Sequence, residues 1–203
     1  MFAATRERPE VVCAGGSLDP ARTLRRDAGR VGDVLAVTGR VGAAAAGLRV
    51  LLDGSPAGAP PEKVAAWVGA QLCPRPRLVE GRHFAAHGVR CAGDLSDGLL
   101  VDAGRTAAAS GCRAELRIDR LPLAPGLREA FPDTWQELAL GGGEDFELLI
   151  AAPQDLFDRI AGDWPPELAP LTPVGLLREG SGVALLDGAR SLPLPRVVSR
   201  HFG

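Results

Sequence analysis

The chain is 203 residues long, carries a formal net charge of −2, and is 46% hydrophobic and 24% charged, with a mean hydropathy of +0.06. That length builds one large domain or two small ones around a core of ordinary size. So slight a net charge gives no general attraction to nucleic acid or to an anionic membrane, and any anion must be held by a local site.

No uninterrupted apolar run approaches the ~18 residues of a membrane span, and Met1 to Pro9 carries charges without an apolar leader segment. The sequence therefore implies an unanchored, cytoplasmic protein. Cys13, Cys73, Cys91 and Cys112 are widely spaced and include no C-x-x-C pair, which argues for reduced, half-buried thiols rather than a zinc ribbon.

Residues 1–30 read as an irregular connector, with a short strand over Val11, Val12 and Cys13, and residues 31–203 as the folded domain. Gly32-Asp33 turns into a strand over Val34 to Val37. Thr38-Gly39 then lead to a helix with Val41, Ala44, Ala45, Leu48 and Leu51 on its inner face, stopped by Asp53-Gly54. The spacing of Gly39, Gly42 and Gly47 fits neither G-x-G-x-x-G nor a P-loop, so a plain structural turn is favoured there. Pro61 opens a second helix that ends before Cys73-Pro74-Arg75-Pro76-Arg77, and a third runs from Leu78 to His87. His83 and His87 share a face of it, but with no third ligand in reach they read as packing rather than zinc.

Val89 and Cys91 suit a short strand, followed by the run Ala92-Gly93-Asp94-Leu95-Ser96-Asp97-Gly98-Leu99 at the head of the next helix. Two carboxylates and a hydroxyl within four positions are hard oxygen donors of the kind Mg²⁺ prefers. Alternatively, Ser96 or Asp97 serves only as the N-cap of that helix. Cys112 to Asp119 alternates apolar and charged residues, the pattern of a half-buried strand. Short helical pieces follow at Leu127 to Phe131 and Trp135 to Leu140. Then comes Gly141-Gly142-Gly143-Glu144-Asp145 at the mouth of a strand, Phe146 to Ala151, that is apolar apart from Glu147 and reads as covered on both faces. A helix from Pro153 to Ile160 and a terminal hairpin of Val174–Leu177 with Val183–Leu186 complete the elements. The expected fold class is α/β (α+β), a mixed β-sheet with helices packed on it.

Taken together, the segments resemble the thiamine-monophosphate kinase family of the aminoimidazole-ribotide-synthetase-like superfamily, in its C-terminal domain. Arg30 to Gly39 resembles its Gly-Asp-x-x-x-Val-Thr-Gly entry strand, and Pro76 to Gly81 its proline-arginine segment. Asp94-Leu95-Ser96-Asp97-Gly98-Leu99 and Gly142-Gly143-Glu144-Asp145-Phe146-Glu147-Leu148 are similar to its two acidic signatures. The resemblance implies transfer of the γ-phosphoryl of ATP to thiamine monophosphate. It implies Asp94 and Asp97 as Mg²⁺ ligands, Ser96 as an ATP contact, and Glu144 and Asp145 near the thiamine substrate.

It also implies that the chain is a C-terminal part of such a kinase, completed by a separate N-terminal half or a homodimer, because Met1 to Thr23 lacks the family's N-terminal aspartate cluster. Only His201-Phe202 remain of the family's Gly-aromatic-Asp-His-Phe tail. The rival expectations are a non-catalytic domain binding a nucleotide or a partner, and a superfamily enzyme acting on another phosphorylated small molecule.

Overall fold

The computed structural model describes residues 19–195; the strand expected at Val11–Cys13 and the tail motif at His201-Phe202 lie outside them. Among the described residues there are seven strands: β1 Val34–Thr38, β2 Cys91–Asp94, β3 Arg113–Arg117, β4 Leu148–Ala152, β5 Leu171–Arg178, β6 Val183–Asp187 and β7 Arg190–Leu192. They form a single mixed sheet in the order β2-β4-β1-β5-β3-β6-β7. The helices are α1 Ala43–Asp53, α2 Pro61–Leu72, α3 Leu78–Ala86, α4 Leu99–Ala109, α5 Leu127–Ala130, α6 Trp135–Gly141 and α7 Gln154–Gly162. The expected α/β architecture is the one observed.

The alternation of side chains along the strands divides the core into two layers. Leu35 and Val37 of β1, Leu149 and Ala151 of β4, and Val174 of β5 pack on one face with Ala45 and Ala46 of α1, Trp67 of α2, Leu99 and Ala103 of α4 and Leu140 of α6. Val34, Ala36, Ile150 and Ala152 point the other way, onto Phe84 of α3 and Phe157 and Ile160 of α7. Strands covered on both faces need apolar residues at every position, which is why β1 and β4 read as continuous hydrophobic runs. By contrast, β3 alternates buried Ala114 and Leu116 with partly exposed Arg113, Glu115 and Arg117, as its sequence pattern requires.

Two expectations are corrected. The terminal hairpin does not form: β5 pairs antiparallel with β1 and β3, and β6 pairs parallel with β3. Thus β3 is inserted between the two, and the connection 179–182 has to cross two strand spacings, about 10 Å, which four residues reach easily. Likewise β4 begins at Leu148 and not at Phe146, because Phe146 adopts φ 48° and cannot enter a ladder.

Asp94 and the loop that precedes β4 lie at one end of the sheet. The first two strands end there, at Thr38 and Asp94, while β4 and β5 begin there, at Leu148 and Leu171. Among the described residues no helix is long and apolar enough to cross a membrane. Cys73 is exposed, Cys91 and Cys112 are buried, and all three are free thiols.

The contact of α1 with α2 is close enough to be tested. A Cβ on Gly47 would stand 2.1 Å from the Trp67 carbonyl oxygen, which belongs to helix backbone and cannot swing aside. Gly47→Ala should therefore destabilise the fold by about 1–3 kcal/mol, read as a lower midpoint in thermal or urea unfolding followed by circular dichroism.

Candidate active site

The acidic turn leaves β2 at Asp94 and enters α4 at Leu99. Its helix is capped by Gly98 at φ 101°, with no side-chain cap bond, so neither Ser96 nor Asp97 performs the capping that their position invited. The Ser96 hydroxyl has no partner among the described residues. Asp94 accepts a hydrogen bond from Arg26 at 2.5 Å and is about half exposed. Asp97 pairs with Arg105, and its backbone N–H donates to Asp102 at 2.9 Å. Asp102 is 2% exposed, and burial raises its carboxyl above the usual carboxylate range against the two hydrogen bonds it accepts.

The glycine-rich loop lies directly against this turn. Leu95 N–H donates to the Glu147 carbonyl at 2.8 Å, Phe146 N–H to Leu95 at 2.9 Å, and Glu144 N–H to Ser96 at 2.9 Å. A Cβ at Gly143 would fall 2.4 Å from the Ser96 carbonyl oxygen, so the close approach requires glycine there. The chain between them is bent through left-handed conformations at Glu144, φ 72°, and Phe146, φ 48°. Such backbone costs about 1–3 kcal/mol per residue for side chains of this size and persists only where the surroundings impose it.

Asp145 and Glu147 project from the loop toward the end of β1. Asp145 accepts the N–H of Gly42 at 2.7 Å and of Ala44 at 3.1 Å, so it caps α1 from more than 100 residues away in sequence. Desolvation pushes its carboxyl up to about 7; the N–H groups of Gly42 and Ala44 oppose the shift and the charge of Glu147 adds to it. Glu147 is 4% exposed and accepts two bonds from Arg77, at 2.6 Å each, and one from the Thr38 hydroxyl at 2.7 Å. The same hydroxyl accepts Leu148 N–H at 2.8 Å. Gly39, at φ 60°, leaves room for this carboxylate, which a Cβ would approach to 2.0 Å.

The site residues read from the sequence therefore come together at one sheet end, although Asp145 and Glu144 diverge in setting. Asp145 and Glu147 line a cleft of about 730 Å³ with Arg40, Arg75, Arg77 and Glu167, within the size range of small-molecule sites, whereas Glu144 is not part of its wall. The Arg77–Glu147 pair has a visible signal in the sequence: one charge in an otherwise apolar strand must find a buried partner. The arginines opposite Asp94 and Asp97 have none, since Arg26 and Arg105 are two of 22 in the chain. His83 and His87 stack at 4.0 Å between ring centres, with Trp164 on the edge of His83. No group of three or more His, Cys, Asp or Glu side chains gathers at a metal-binding geometry among the described residues.

A profile of the family described as "AIR synthase related protein, C-terminal domain" matches residues 30–165. The chain belongs to this family. As an AIR synthase related C-terminal domain it is similar to the thiamine-monophosphate kinase of Methanopyrus kandleri, with 35% identity over 192 residues, covering 91% of this chain and 57% of that protein. It also resembles the crystal structure of thiamine-monophosphate kinase from Stenotrophomonas maltophilia K279a, at TM-score 0.69 and 35% identity over 80% of this chain and 52% of that one. A third likeness is to "AaThiL complexed with AMPPCP and TMP", at TM-score 0.66 and 32% identity over 80% of this chain and 50% of that one. The chain spans about half the length of the curated relatives it matches.

Removing one member of the Arg77–Glu147 pair leaves a buried charge uncompensated. Arg77→Ala should cost about 3–5 kcal/mol of stability in urea unfolding, and the double variant Arg77→Met, Glu147→Leu distinctly less.

Proposed function

We propose that the chain is the C-terminal, substrate-binding part of an ATP-dependent kinase that phosphorylates thiamine monophosphate to thiamine diphosphate. The observation that carries the reading is the joining of the two acidic segments by three main-chain hydrogen bonds, which makes one corner of them. The 29–35% identity to thiamine-monophosphate kinases and the likeness to a protein complexed with AMPPCP and TMP support it. In this reading residues 31–203 are the catalytic partner of an N-terminal domain, supplied by a further part of the protein, a separate half or a second copy.

The donors suit magnesium. Asp94 and Asp97 offer hard, negatively charged oxygens on a rigid turn, and the arginines that hold them are themselves about half exposed. The Arg26–Asp94 pair, about half exposed on both sides, is worth ~1 kcal/mol or less, so yielding it to a metal costs little, whereas Arg105 shares Asp97 with the buried Asp102 and is held more firmly. Magnesium typically takes one or two carboxylates and completes its octahedron with water and phosphate oxygens, which accords with two acids here. Held by Asp94 and Asp97, the ion would supply positive charge to offset that of the phosphates.

The chain's own residues supply position and field. Asp94 and Asp97 fix the anionic end of the nucleotide, and the Ser96 hydroxyl is available to a phosphate oxygen between them. Asp145 lines the large cleft with a carboxyl that desolvation pushes upward, so a cation such as a thiazolium there would favour its ionised form, and Glu144 adds negative charge at the same loop. Phosphoryl transfer needs mainly this positioning and charge neutralisation, with little covalent participation by the protein.

The test mixes the chain with a separately expressed N-terminal half, MgATP and thiamine monophosphate, and follows thiamine diphosphate by chromatography. The expected result is diphosphate formation that falls by about 100-fold in Asp94→Ala and in Asp97→Ala. Absence of diphosphate from the complete mixture would refute the kinase reading.

A further inference from the structure

The large cleft beside the glycine-rich loop has six charged residues on its wall: Arg40, Arg75, Arg77, Asp145, Glu147 and Glu167. Three of them are engaged inside the protein. Asp145 accepts the backbone N–H groups of Gly42 and Ala44, and Glu147 accepts two bonds from Arg77 and one from the Thr38 hydroxyl. Arg40, Arg75 and Glu167 remain to meet a ligand; all three are exposed and make no ion pair among the described residues. The acidic run Gly142 to Glu147 therefore borders a cleft whose uncommitted charges are two guanidiniums and one carboxylate.

Both arginines stand on stiff backbone. Arg75 lies between Pro74 and Pro76 in the connection from α2 to α3. Each pyrrolidine ring fixes its own φ, and Pro76 also disfavours helical backbone at Arg75. Arg40 follows Gly39, which turns through φ 60° directly off β1, and its Nη1 donates to the Leu123 carbonyl at 3.2 Å. That bond anchors the guanidinium and leaves its other N–H groups for an acceptor. A guanidinium presents a planar fork of donors that matches phosphate oxygens in pairs, and charge-assisted bonds of this kind are about twice as strong as neutral ones. Stiff support lowers the ordering cost of closing them on a ligand.

We infer that Arg40 and Arg75 are the anion seat of this cleft and take the phosphate monoester of the acceptor substrate, leaving Glu167 and Asp145 to its cationic end. The choice of a phosphate monoester as the ligand rests on the proposed kinase activity. The two arginines are then specificity determinants, because the same molecule without its phosphate offers them no anionic oxygen. The acids of the loop meet only the cationic end and do not make that distinction.

The experiment titrates the chain by calorimetry with thiamine monophosphate and, separately, with thiamine. Wild type is compared with Arg40→Ala, Arg75→Ala, the double alanine variant and Arg159→Ala, which removes one such charge from the exposed side of α7, and thermal unfolding confirms that each is folded. Wild type should bind the monophosphate about tenfold or more tightly than thiamine, and each single variant should lose part of that preference. The double variant should lose all of it, by weakening for the monophosphate alone, and Arg159→Ala should keep it. Equal binding of the two ligands by wild type, no binding of the monophosphate, or a preference that survives the double variant would overturn the inference. The kinase reading is judged separately, by diphosphate formation in the mixture with the N-terminal half. Diphosphate made by the double variant with an unchanged KM for thiamine monophosphate would overturn the inference and leave the kinase intact, whereas no diphosphate from wild type would refute the kinase while the calorimetric preference still decides the seat.

Discussion

Three main-chain hydrogen bonds, from Leu95 N–H to Glu147, from Phe146 N–H to Leu95 and from Glu144 N–H to Ser96, hold two segments together that lie some fifty residues apart in sequence. Each contributes about 1 kcal/mol net, and together they fix the relative placement of the two acidic segments. They form beyond the end of the β2–β4 ladder, as a continuation of its pairing past Asp94 and Leu148. Tied to the loop, the acidic turn faces the same end of the sheet as Asp145 and Glu147.

The loop is correspondingly expensive. Left-handed backbone at Glu144 and Phe146 works against it, and the carboxylates of Asp145 and Glu147 have left water to reach their positions. What offsets the cost is local and nameable: two N–H groups of α1 on Asp145, and Arg77 with Thr38 on Glu147. Strain held in place by a rigid frame is a mark of functional loops. Here the frame is the end of β1, whose five residues are buried and which has a neighbouring strand on each side.

Much of this is legible in the amino acids. Continuous apolar runs at Val34–Val37 and Leu148–Ala152 announce doubly covered strands, and Cys112 to Asp119 announces its wet face residue by residue. The acidic segments stand out because hard oxygens and glycines crowd between a strand and a helix. Long-range pairing is not legible. The sequence makes β5 and β6 look like a hairpin because they are neighbours in the chain, and nothing local reveals that β3 lies between them. For the same reason Asp145 reads as a site residue only, although it also caps α1, and Arg26 and Arg105 are indistinguishable from other surface arginines until the fold brings them to Asp94 and Asp97.

In the proposed function the turn and the loop act as one unit in holding a metal–nucleotide. Gly143 touches neither carboxylate of the turn, but a methyl group there would press on the Ser96 carbonyl oxygen and part the two segments. The most direct measurement is the affinity of the chain for Mg²⁺–AMPPCP, by calorimetry, in wild type and in Gly143→Ala. The expected result is binding by the wild type and a loss of about tenfold or more in the variant, with its overall secondary structure kept. Equal affinity in the two proteins would contradict it.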